Sequence, residues 1–174
     1  FAIQQVMTFE NFEDLHRIEA DIFSQIDQLK ACKDQMTSLK GDLQKTENLL
    51  HSLAPYKNMS AEFSRFKDTG LVSVLLGEVK NDRLADLEGI RERGGEYEVF
   101  DAEITSGVAI VIPKHLREDI QEILSQVEFS ICPIESDLTS SQMIENCYSE
   151  IDGIGKKNNM LVEKIMTYES IIED

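Results

Sequence analysis

The sequence predicts an α+β protein in which a long antiparallel two-helix coiled coil carries an inserted ferredoxin-like βαββαβ lobe. Three observations predict it. Apolar side chains recur at steps of seven from Leu15 to Leu50, the same spacing returns between Ile144 and Ile172, and the stretch between them reads as buried strands alternating with short helices.

The first seam is Leu15, Ile22, Leu29, Met36, Leu43 and Leu50, every one apolar. Its companion positions are Ile18, Gln25, Cys32, Leu39, Thr46 and Leu53, a weaker set with two polar members. A three-four repeat held this long predicts a coiled coil of roughly 57 Å between Leu15 and Leu53 at 1.5 Å per residue. Pro55 ends the helix, because proline lacks the amide donor and disfavours helix in the residue before it. This first helical segment spans 10–57.

In the lobe, 58–136, the run LVSVLLGEV reads as a strand buried on both faces. Asn81-Asp82 is expected to cap a helix over Asp82–Arg93 that ends at Gly94-Gly95. EYEVFDAEI then forms a second strand, Thr105-Ser106-Gly107 a tight turn, and GVAIVIP a third strand. A helix over LREDIQEILSQV and a last strand, FSICPI, complete the order βαββαβ. In that arrangement strands one and three are central and two and four are edges. Both lobe helices cover one sheet face, so the other needs a cover. The local segment around Phe63 and Phe66 is favoured over the coiled coil or a partner protein, since an open apolar face invites aggregation.

The returning helix, 137–174, repeats the pattern at Ile144, Cys147, Ile151, Ile154, Asn158, Leu161, Ile165, Tyr168 and Ile172. Asp137 or Thr139 can cap it, with Gln142 completing a capping box after Thr139. Either helix alone would leave an apolar stripe in water, so the two are expected to zip together antiparallel with the lobe at the closed end. The returning helix is then expected to run out opposite about residue 20, which suggests a fragment of a longer chain. Gly41, Gly153 and Gly155 fall at similar height along the pair. They read either as a shared bending point or, slightly favoured, as glycines tolerated on exposed faces.

Composition bounds the function. Thirty-three acidic residues against 17 basic ones give a net charge of −16, which opposes nucleic acid and anionic membrane surfaces. No stretch approaches the roughly 20 apolar residues of a membrane span, so direct membrane insertion is not expected. Cys32, Cys132 and Cys147 have no C-x-x-C spacing and read as buried apolar groups in a reducing compartment. His16, His51 and His115 are dispersed, without metal-ligand spacing, and read as surface histidines. There is no phosphate-cradling glycine motif and no G-x-S-x-G. Catalytic, cofactor and metal sites are therefore all expected to be absent, and the residues leave a partner-binding face unassigned.

The stretches FSRFKDTGLVSVLLGEVKNDRLADLEGI and GVAIVIPKHLREDIQEIL, set between two long helices, resemble the distal cytoplasmic arm of the subunit I (subunit a) family of rotary V-type and A-type ATPases. In that family a glycine closing the first strand, here Gly77, precedes a leucine-bearing helix, here Leu84, Leu87 and Ile90. A hydrophobic strand then leads into the second helix, as Ile110-Val111-Ile112-Pro113-Lys114 does, while Lys80 stands where the family usually has proline. The resemblance spans residues 10–174 as architecture. It implies a non-catalytic stator element on the cytoplasmic face of a membrane complex. Such an element grips peripheral stalk subunits and resists torque while protons or sodium ions are transported and ATP is made or consumed. In isolation a monomer is expected. The rival readings are a regulatory ferredoxin-like sensor on a coiled coil and a scaffold coiled coil that zips between molecules.

Overall fold

The computed structural model describes residues 9–173, with side chains from Glu10 to Ile171. The elements in order are α1 (Phe9–Leu53), β1 (Val72–Lys80), α2 (Glu88–Glu92), β2 (Glu96–Phe100), β3 (Thr105–Pro113), α3 (Gln121–Gln126), β4 (Ser130–Ile131) and α4 (Ser140–Glu173). Short 3-10 turns precede α2 and α3 and follow α1. The chain divides into two compact units. One is Thr46–Ser149; the other joins α1 up to Lys45 with α4 from Glu150 onward.

In the helical unit α1 and α4 run antiparallel. Lys33 pairs with Glu169 at 3.9 Å, and Tyr168 donates its hydroxyl proton to Gln28. Met36 shares one groove with Ile165 and a second with Ile154. The better-buried residues here are Cys32, Ile154 and Ile165, each at least nine-tenths covered. Toward the start of α1, Phe12, Leu15, Ile18, Ile22 and Phe23 are each 44–59% exposed.

The lobe unit is an α+β sandwich. Its four-stranded antiparallel sheet has the order β2-β3-β1-β4, with β1 and β3 central as expected for the split βαβ arrangement. Alternation along the strands sends Val79, Val108, Ile110 and Ile112 to one face, where Leu87, Ile90, Ile120, Ile123, Leu124 and Val127 close the core. Leu76, Ala109 and Phe100 face the other way. That second face is covered by Tyr56, Met59 and Phe63, with Phe66 packed beside them, from the local segment. Leu53, Leu50, Cys147, Met143 and Ile144 from the ends of the two long helices complete the cover. The expected local cover is therefore only part of the answer. The compact unit is wider than 58–136, because the helix ends are built into its core.

Several local expectations need correction. The stretch expected as one helix over Asp82–Arg93 is a 3-10 helix, Asn81–Leu87, followed by one turn of α-helix. The same holds before α3, where Lys114–Ile120 is 3-10. Asn81 makes no cap, because its side chain is bonded elsewhere. The second strand stops at Phe100, and Thr105-Ser106-Gly107 lies inside β3, so the turn is Asp101–Ile104. The last strand keeps only two of the six residues of FSICPI. Gly77 sits inside β1 and does not close it. A Cβ there would collide with the Ser130 carbonyl oxygen and the Phe129 ring, so glycine is what lets β4 approach. Pro55 stands in the 3-10 turn Ala54–Tyr56 that follows α1. At the start of α4, Thr139 and not Asp137 is the cap. The Thr139 amide donates to Gln142 Oε1 at 3.0 Å, and the Gln142 amide donates to Thr139 Oγ1 at 3.2 Å, a reciprocal capping box.

Candidate docking surface

The residues singled out in the sequence fall in different places. Of the first seam, Leu15 and Ile22 are exposed, whereas Leu29, Met36, Leu43 and Leu50 are half-buried. The companion set holds the most buried members of α1, Cys32, Thr46 and Leu53. On α4, Ile144, Ile151 and Leu161 are half-buried and Ile154 and Ile165 buried; the side chain of Ile172 lies outside the described residues. Gly41, Gly153 and Gly155 lie in unbroken helix, and a Cβ at any of them would meet nothing within 4 Å. His16, His51 and His115 are exposed, and the described residues contain no cluster of three or more metal-ligating side chains. No described helix is long and apolar enough to cross a membrane.

Two features that leave no motif in the sequence shape the lobe surface. The first is at the sheet edge. Arg91 lies over the Tyr97 ring at 4.2 Å and donates from Nε to Glu96 at 3.0 Å. It also donates from Nη1 to Glu88 at 3.1 Å and from Nη2 to the Tyr97 carbonyl at 3.4 Å. The Tyr97 hydroxyl closes the ring of contacts on Glu88 at 3.0 Å. Burial, then the bond to the Glu88 carboxylate, holds the Tyr97 phenol above its ordinary pKa. Bonding to Glu96 raises the already high pKa of Arg91 further. The edge strand β2 is thus covered by a cation that satisfies one of its carbonyls.

The second feature is the loop Asp101–Ile104. Its four successive carbonyls all accept hydrogen bonds: Asp101 from Asn58, Ala102 from Asn81 Nδ2 at 2.8 Å, Glu103 from the same nitrogen at 3.1 Å, and Ile104 from the Asn81 amide at 3.0 Å. Lys57 pairs with Glu103 at 3.1 Å. The loop lines a cleft of about 690 Å³ together with Glu78, Pro55, Ile131 and Pro133. Beneath it, burial above all, and then the Cys132 thiol and the Glu78 carboxylate, push the Tyr56 phenol far above its ordinary range. Burial likewise raises the Cys132 thiol. Cys132 is itself only half-buried, whereas Cys32 and Cys147 are buried as expected.

No family model matches the sequence, and no curated protein matches it. Among solved structures, the crystal structure of the cytoplasmic N-terminal domain of subunit I, homolog of subunit a, of V-ATPase is similar at 11% sequence identity with a TM-score of 0.49. That match covers 91% of this chain and 53% of the other, so the chain spans about half the length of that structure.

Proposed function

We propose that the chain is a non-catalytic stator element of a rotary V-type or A-type ATPase, a cytoplasmic arm of the subunit I (subunit a) kind that docks on peripheral stalk subunits and resists torque. One observation carries the reading. Leu50 and Leu53 of α1 and Ile144 and Cys147 of α4 pack in the same core as Leu76 and Ala109 of the sheet. A load arriving along either helix end therefore passes into close-packed side chains, which transmit strain because interiors have few voids and low compressibility. The sequence resemblance in 63–90 and 107–124 supplies the kind of complex, and the acidic surface suits basic partners. The test is co-purification with peripheral stalk subunit pairs at low salt. A complex weakened by charge reversal on the lobe is the expected result, and failure of every stalk pair to bind would overturn the assignment.

A further inference from the structure

We propose, resting on that reading of the lobe as a docking element, that the cleft beside the loop Asp101–Ile104 is the face that receives the partner, and that its occupant is a segment of a basic partner protein carrying an aliphatic residue next to a Lys or Arg. Three independent features of the lobe unit converge there. Ile104 and Ile131, which both line the cleft, are 79% and 66% exposed, so two large aliphatic side chains of its lining stand largely in water. Pro55 and Pro133 add apolar wall. An aliphatic group entering between them removes apolar area from water on both partners.

The loop that presents Ile104 is also held rigid. Nothing about folding the sheet requires that every carbonyl from Asp101 to Ile104 be tied to Asn58 or Asn81, since carbonyls on an exposed loop are satisfied by water. The ties also fix the backbone that carries an exposed aliphatic side chain before a partner arrives, which lowers the ordering penalty on association.

Charge selects the occupant. Glu78 lines the cleft, is only half-exposed, and makes no ion pair among the described residues. Lys57, the lysine of the cleft wall, is engaged by Glu103. His51 and Ser52, in the last turn of α1, also line the cleft, and the carbonyl end of a helix carries partial negative charge. A second copy of this chain would bring further negative charge to a surface that is already acidic, so a basic partner is favoured over self-association.

The test uses the intact chain, isotope-labelled for NMR. The probe is an amphipathic Leu/Lys peptide, with a Leu/Glu peptide as control, at about 0.15 M salt, where exposed charges are screened beyond roughly 8 Å. The expected result is saturable binding of the Leu/Lys peptide alone, with amide shifts centred on Glu78, Ile104 and Ile131. Glu78→Gln and Ile104→Ser should each weaken it by roughly tenfold, as loss of a central anchor does, with the melting temperature of Ile104→Ser unchanged because Ile104 is exposed. Shifts spread along the acidic helices instead, or an affinity indifferent to both substitutions, would overturn the proposal. So would a concentration-dependent mass abolished by Ile104→Ser, which would assign the face to a second copy. Stalk pairs that bind both variants as tightly as the parent would sink the cleft and leave the stator reading standing. Peptide capture in the cleft without binding of any stalk pair would do the reverse.

Discussion

Ser106 donates its hydroxyl proton to Asn81 Oδ1 at 2.6 Å while its own Oγ accepts the Ala102 amide at 3.0 Å, so one buried hydroxyl joins the end of β1 to the β2–β3 turn. Asn81→Ala would strip the acceptor from a serine that is 1% exposed and free the Ala102 and Glu103 carbonyls at once. The expected loss is about 1–3 kcal/mol, the usual penalty for orphaning a buried polar group. Asn81→Asp keeps the acceptor but loses the two amide donors, so it should fall between the parent and the alanine variant. Urea denaturation of the three proteins checks the order.

Glycine substitutions should split by position. A Cβ on Gly107 would lie 2.7 Å from the Tyr56 ring and 2.9 Å from the Pro55 carbonyl oxygen, and the backbone atom cannot swing away. Gly107→Ala is therefore expected to destabilise by about 1–3 kcal/mol through overpacking. Gly41→Ala, Gly153→Ala and Gly155→Ala meet open space and should each stabilise by about 0.5–1 kcal/mol, as helix-interior glycine replaced by alanine does. If the three glycines are a bending point, the triple variant also narrows the spread of conformers in electron micrographs. An unchanged spread rejects the hinge.

The sheet is legible in the sequence because its information is local. LVSVLL and VAIVI are nearly unbroken apolar runs, as central strands buried on both faces are, and their order with the intervening helices fixes a topology with few alternatives. The turn is not legible, for a physical reason. Thr105-Ser106-Gly107 carries turn chemistry, yet Gly107 is needed in the strand to clear Tyr56, and the real turn has no glycine or proline because Asn58 and Asn81 hold it from a distance. Contacts spanning 21 to 43 residues leave no mark in a single sequence. Hydropathy ranks the coiled-coil positions one way and burial another, because burial follows place on the helix: the small side chains of Cys32 and Thr46 are enclosed while the longer Leu29 and Met36 stay half-wet. The cleft is illegible for the same reason as the turn, since Glu78, Ile104 and Ile131 meet only through the sheet.

Alkaline pH should destabilise the lobe. Tyr56 and Cys132 both have folded pKa values above their ordinary 10.0 and 9.0, with burial the first cause in each. In the unfolded chain they lose their protons at those ordinary values, while the folded chain keeps them. The unfolded state then binds fewer protons, and stability falls as pH rises. The contribution of these two groups should be constant below about pH 8 and decline above about pH 9, by up to about 1.4 kcal/mol per pH unit for each. Tyr56→Phe keeps the edge-on packing against Phe63 and should flatten the decline above about pH 10; Cys132→Ala should flatten its onset near about pH 9. A decline unchanged in both variants would place the sensitivity elsewhere.

The guanidinium at the β2 edge gives the last prediction. Edge strands offer unpaired backbone groups to other chains, and here Arg91 occupies the Tyr97 carbonyl while stacking on the ring beside it. Arg91→Ala uncovers that carbonyl and leaves Glu88 without its ion-pair partner. The variant should self-associate through β2, seen as a concentration-dependent rise in sedimentation coefficient that the parent does not show. Arg91→Lys should recover only part of the protection, since an ammonium cannot reach Glu88, Glu96 and the carbonyl together with the fixed fork of arginine. If both variants stay monomeric, Glu96 and Glu98 alone guard the edge by charge, and the stack on Tyr97 serves only to fix the turn after α2.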